Sequence, residues 1–153
     1  MQTLQYDAES KLYAYISGTK LNTSVVTSLD AYEYLHAFFS FTVFSNQREK
    51  FVALYLDANN FPIGQCKFSH PDKPFVVVEL QKLIDEAVAV SAAKIWIGHN
   101  SRTSNTSPTL QDDELTKHFI AECRSHNLEV VDHLIISEYG NYYSYADKGK
   151  LPL

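Results

Sequence analysis

The sequence predicts an α/β (α+β-like) domain: one mixed β-sheet flanked by helices. Three observations predict it. Stretches with apolar residues at helical spacing alternate with short apolar or alternating runs. Thr-x-x-Asp capping pairs precede two of the helical stretches. Finally, 153 residues at 45% hydrophobic and 13% aromatic suffice for one buried core.

Each element follows in order. Residues 1–26 hold the alternating run "KLYAYISG" and read as a strand or N-terminal arm ahead of a domain spanning 27–153. "TSLDAYEYLHAFF" opens on Thr27, with Asp30 three residues on. Leu29, Tyr32, Leu35, Phe38 and Phe39 recur at helical spacing, predicting a helix over about 28–41. "FVALYLDANNF" is a strand followed by an Asp-Ala-Asn-Asn turn, and "PIGQCKFS" returns beside it, so 51–69 is a hairpin. "VVVELQKLIDEAVAVSAA" places Leu80, Leu83, Ile84, Ala87 and Val90 on one face of a helix of about 15 residues. "KIWIG" is a short buried strand. "TLQDDELTKHFIAECRSHN" is a helix capped by Thr109 and Asp112, with Leu115, Phe119, Ile120 and Cys123 as its apolar face. "LEVVDHLIISE" is a strand, "YGN" a turn, and "YYSYAD" the last strand. The order is helix, two strands, helix, strand, helix, two strands, which gives one mixed sheet with helices packed on it.

Composition narrows the function classes. The net charge is -5 and the basic residues are scattered, so nothing marks the basic face that duplex DNA binding needs. No apolar run approaches the roughly 20 residues of a membrane span. "MQTLQYDAES" carries neither a basic n-region nor an apolar h-region, which predicts a cytoplasmic chain. Cys66 and Cys123 lie far apart without Cys-x-x-Cys spacing and are expected to be buried thiols.

Chemistry concentrates in "IWIGHNSRTSNTSPTLQDD". His99 is expected just past the end of a buried strand, and Asp112 in the first turn of the next helix. A strand end and a helix N-terminus converge readily over one cleft, where a histidine and a carboxylate can bind zinc. Each residue also has a plainer role. Asp112 completes a capping box with Thr109, His99 alone suits a hydrogen-bonded structural histidine, and Glu49 suits a surface carboxylate. Asp132 and His133 alternate across an apolar strand, so one of them is expected to be buried and paired. His118 and His126 are expected to face water. The tyrosines over 139–145 suit sheet packing.

Four segments together resemble the JAB/MPN metalloprotease-like domain in its RadC-type bacterial form. That family reads HNHPSG, then P-S-x-x-D, then a helix with Thr four after the Asp. This chain has His99-Asn100-Ser101-Arg102-Thr103, Pro108-Thr109-Leu110-Gln111-Asp112 and Thr116. A family strand close to LLDHIIV and a YYSF strand match "VVDHLIIS" (130–137) and "NYYSYADKG" (141–149). A family E-x-F before a strand matches Glu49-Lys50-Phe51. The resemblance covers about residues 27–150 and implies a JAB/MPN, cytidine-deaminase-like architecture. Two features depart from the family pattern: Ser101 stands at the second histidine, and Glu79-Leu80-Gln81-Lys82 stands where the family has HPRE. His70-Pro71 comes too early in the chain to align with it.

The resemblance implies metal ligands at His99 and Asp112, a catalytic glutamate at Glu49, and Asn100 and Thr103 lining the cleft. Ser101 breaks the set. Its hydroxyl is neutral at pH 7 and a weak donor beside imidazole, and its side chain is short. Asp113 is a possible substitute, but it points about 100° away from Asp112 around a helix. The expectation is a family member that has lost tight zinc binding and hydrolase activity and acts as a binding or accessory module for a protein or peptide partner. One alternative is a working zinc hydrolase of amide or isopeptide bonds. The other is a DNA-repair-associated protein, as the family's traditional label suggests, against which the acidic charge weighs. An exposed sheet edge could support a homodimer.

Overall fold

The computed structural model describes residues 23–40, 50–69, 78–101 and 103–151. The alternating run near the N-terminus, Glu49, His70, Arg102 and the Phe38 side chain lie outside the described residues. Eight elements are described: α1 (Ser28–Ser40), β1 (Lys50–Leu56), β2 (Pro62–Ser69), α2 (Leu80–Ala89), β3 (Lys94–Ser101), α3 (Leu110–Arg124), β4 (Glu129–Ser137) and β5 (Tyr142–Ser144). The strands form one sheet in the order β2-β1-β3-β4-β5. β3 and β4 run parallel, joined by the α3 crossover, and the other pairs are antiparallel. The mixed sheet with flanking helices matches the fold expected from the sequence.

Alternation along β1 explains the layers. Phe51, Ala53 and Tyr55 join one core with Leu83, Ile84 and Ala87 of α2 and Phe119 and Cys123 of α3. Val52, Leu54 and Leu56 join a second core with Ala31, Tyr34 and Leu35 of α1. A strand covered on both faces reads as a near-continuous apolar run, as Phe51–Leu56 does, and all of β1 is buried.

Local signals set the ends of these elements. Thr27 and Asp30 make a reciprocal cap at α1: Asp30 N–H donates to Thr27 Oγ1 (3.1 Å) and Thr27 N–H to Asp30 Oδ2 (3.0 Å). The buried stripe of α1 is Ala31–Tyr34–Leu35, with Tyr32 and Phe39 at its edge. Leu29, expected on that stripe, is exposed, because the stripe is rotated from the one read in the sequence. α2 is shorter than expected. Extended Glu79 begins it, and Ser91, at φ 59°, lies just past its end. The β1–β2 turn forms as expected: Asp57 Oδ1 accepts from Asn59 and Phe61 N–H, and Asn60 takes φ 71°. Cys66 and Cys123 are buried free thiols, and burial pushes both up to about 12.

Gly98 in β3 leaves room for α1 to sit close to the sheet. A Cβ there would lie 3.0 Å from Leu35 Cδ1 and 3.8 Å from Val52 Cγ1. Gly98→Ala should therefore destabilise the fold by about 1–2 kcal/mol through overpacking. Urea unfolding should show a lower midpoint at unchanged slope, and an unchanged midpoint would mean that α1 packs less closely than described.

Candidate metal centre

The site lies where β3 and β4 end and α3 begins. His99 belongs to β3 itself rather than to the loop after it. The ladder continues past Gly98 on both sides, pairing His99 with Phe51 of β1 and Ile135 of β4, and reaching Ser101 opposite Ser137. His99 is consequently buried, at 6% exposure, and held on a rigid element.

Asp112 sits at the third position of α3 and completes the capping box expected from the sequence. Its N–H donates to Thr109 Oγ1 (3.1 Å), and its Oδ2 accepts from Thr109 N–H (2.8 Å). The carboxylate also favours the positive end of the helix. Its other oxygen, Oδ1, stands 3.5 Å from His99 Nε2. The structure therefore brings the His99 and Asp112 side chains together.

Behind His99 lies a residue whose part in the site sequence reading missed. His133 is fully buried, and its Nε2 is 2.9 Å from His99 Nδ1. Its Nδ1 is 2.6 Å from Thr116 Oγ1, one helical turn beyond Asp112. The ring stacks on Tyr145, with centroids 4.9 Å apart and planes 3° apart, and Phe51 meets its edge. Burial first, and His99 second, hold the His133 pKa well below its ordinary value, so the ring is neutral. Asp132, expected on the opposite face, is buried as well, because both faces of the sheet are covered. It accepts from His133 N–H (2.7 Å), Ala146 N–H (2.9 Å) and the Ser144 hydroxyl. The single buried member expected of this pair is thus two, each separately satisfied. His118 and His126 are exposed, as expected.

The remaining expected residues are tied into the scaffold. Ser101 Oγ donates to the Asn105 carbonyl (2.6 Å) and accepts from Thr103 N–H (3.2 Å). Thr103 Oγ1 accepts from Asn105 N–H (3.1 Å). These side-chain turns shape a loop that has no glycine. Asn100 is buried, and its Oδ1 accepts from Lys50 N–H (2.5 Å), joining β3 to the start of β1. Asp113 accepts from Tyr145 OH (2.7 Å) and lies 3.5 Å from Lys150 Nζ, so it is turned to other partners.

Zinc fits this donor set only in part. Two ligands at about 2.0–2.2 Å from a tetrahedral ion stand about 3.4 Å apart, close to the His99–Asp112 spacing. A catalytic zinc needs a third protein ligand. Ser101, at the position expected to supply it, has its hydroxyl on the loop. Among the described residues, no group of three His, Cys, Asp or Glu side chains could hold a metal ion. The described residues therefore do not fit a three-ligand zinc centre.

Comparison with known proteins agrees with the fold. A family model described as the RadC-like JAB domain matches residues 25–150. The chain is 30% identical over 151 residues to a UPF0758 protein of Aquifex aeolicus (strain VF5). That alignment takes in 99% of this chain and 63% of the other, so the chain spans under two thirds of that relative's length. Among the described residues, no helix is long and apolar enough to cross a membrane.

The neutral His133 sets a pH dependence. Its folded pKa lies below the ordinary 6.5, so the unfolded state takes up a proton that the native state refuses. The stability it contributes is complete above about pH 6.5 and is lost as pH falls below that. Asp132 has the opposite sign. Burial raises its pKa, so its contribution is lost as pH rises. His133→Gln removes the first effect and leaves the second. Between about pH 7 and about pH 5, urea unfolding should show the wild type losing up to about 1.4 kcal/mol per pH unit and the variant distinctly less. Equal slopes would contradict the neutral, buried assignment.

Proposed function

The chain belongs to the RadC-like JAB domain family, and from that premise we propose a member that keeps the fold and half of its metal centre. It holds no zinc tightly, catalyses no hydrolysis, and serves as a binding or accessory module. The observation that carries this reading is the commitment of Ser101 Oγ to Thr103 and Asn105 within the loop. A hydroxyl that shapes its own loop is a poor substitute for imidazole, and two protein ligands hold zinc weakly.

The partner is a protein or peptide. A net charge of -5 with scattered basic residues disfavours a phosphate backbone, and specific nucleic-acid binding would need a concentrated basic face. The parallel strand ends beside α3 form the part of the sheet where ligands of α/β folds commonly lie.

Zinc calorimetry on the wild type and on Ser101→His tests the reading. The wild type should show no tight site. Ser101→His should bind one zinc at least about 100-fold more tightly, a larger effect than losing a supporting hydrogen bond. Tight binding of one zinc by the wild type, with a peptidase rate abolished by Glu49→Gln, would establish an active hydrolase instead.

A further inference from the structure

We infer that the outer edge of β4, at the end of the sheet away from His99, is a docking groove that takes an extended peptide of a partner protein as an added strand. β4 is nine residues long, and the three-residue β5 pairs with only its Leu134–Ile136 stretch. Past that ladder the chain turns aside. Tyr145 N–H still reaches the His133 carbonyl (3.1 Å), but Ala146 N–H goes to the Asp132 side chain (2.9 Å). Among the described residues, Glu129–Asp132 therefore have no strand on their outer side. Their inner side is irregular as well. The register against β3 steps from Val130 to Asp132, so Val131 is an extra residue that pairs with neither neighbouring strand. Such an edge is a template for another strand, and proteins normally charge it, shorten it or cover it. Here it carries two adjacent β-branched residues, Val130 and Val131, both half-buried.

A cavity of about 620 Å³ opens on the same stretch, a volume typical of binding clefts. Ile120, Leu128 and Leu151 give it apolar walls beside the two valines. Arg124, in the last turn of α3, and Glu129 stand exposed at its rim. Among the described residues the Arg124 guanidinium has no ion pair. A guanidinium so placed beside an apolar groove suits a carboxylate in bidentate contact. The chemistry of the occupant follows. The open stretch spans about four residues of a strand at roughly 3.3 Å each. Strand side chains alternate, so every second one enters the cavity beside Val130 and is apolar. An Asp or Glu lies against Arg124. Main-chain hydrogen bonds supply affinity, and the cavity and Arg124 supply selectivity. This groove lies apart from the His99–Asp112 gap and does not depend on whether that gap holds zinc.

The probe is a library of random heptapeptides selected on the immobilised full chain, with the Arg124→Glu protein as counter-selection. Enriched peptides should alternate apolar residues and carry Asp or Glu. Added to the ¹⁵N-labelled wild type, they should shift the backbone amides of residues 129–132. Arg124→Glu should weaken them at least about 10-fold by setting like charges together, and Arg124→Lys should weaken them less. N-methylation of one alternate set of peptide amides, the set facing β4, should cost at least about 10-fold, while the other set should tolerate it. That difference separates strand pairing from mere filling of an apolar cavity. No enrichment over Arg124→Glu, shifts confined to other residues, or equal tolerance of both methylated sets would each overturn the proposal. Shifts over 129–132 that grow with protein concentration in the absence of peptide, together with a dimer in sedimentation, would assign the edge to a second copy and overturn the partner reading.

Discussion

A fully buried imidazole needs partners for both of its nitrogens, and His133 meets this demand by joining three elements. Its ring takes Thr116 of α3 on one side and His99 of β3 on the other, while its own backbone lies in β4. Leaving either nitrogen without a partner at this depth would cost about 1–3 kcal/mol. Satisfying both fixes α3 over the parallel pair β3–β4. The same contacts set the distance from His99 to Asp112, because Thr116 and Asp112 lie one turn apart on the same helix face. The geometry of the site is thus a by-product of burying one polar ring.

On the proposed reading, this is how two ligand positions could outlast the loss of a third. The capping box holds Asp112 for the sake of α3, and the pairing of β3 with two neighbours holds His99 for the sake of the sheet. Neither needs an ion to stay in place. Ser101 has a structural task of its own, bonding Thr103 and Asn105. Retained spacing between two ligand types is therefore weak evidence for a bound metal, and the third position decides.

Much of this was legible in the sequence. The two Thr-x-x-Asp pairs announced real reciprocal caps, and the Asp57–Asn60 turn announced its hairpin. The pairing of His99 with Asp112 followed from a resemblance spread over four segments, and the residues are brought together accordingly. Other features depend on long-range facts. His99 lies within β3 because two neighbouring strands continue their ladders past Gly98, which no local pattern reveals. His133 meets His99 because β3 and β4 are parallel with His99 opposite Ile135, so that a histidine two residues earlier reaches back to it. From sequence alone, His133 could only be assigned to one strand face or the other. The burial of both Asp132 and His133 required knowing that both faces of the sheet are covered. Leu29 shows the limit of helical periodicity, which locates a stripe to within one residue position.

The central claim is that Ser101 belongs to the loop and not to a metal shell. A crystal structure of the wild-type protein grown with zinc tests it most directly. The account predicts Ser101 Oγ on Thr103 N–H and Asn105 C=O, with no fully occupied zinc between His99 and Asp112. An ordered zinc held there by His99, Asp112 and a third side chain would contradict it.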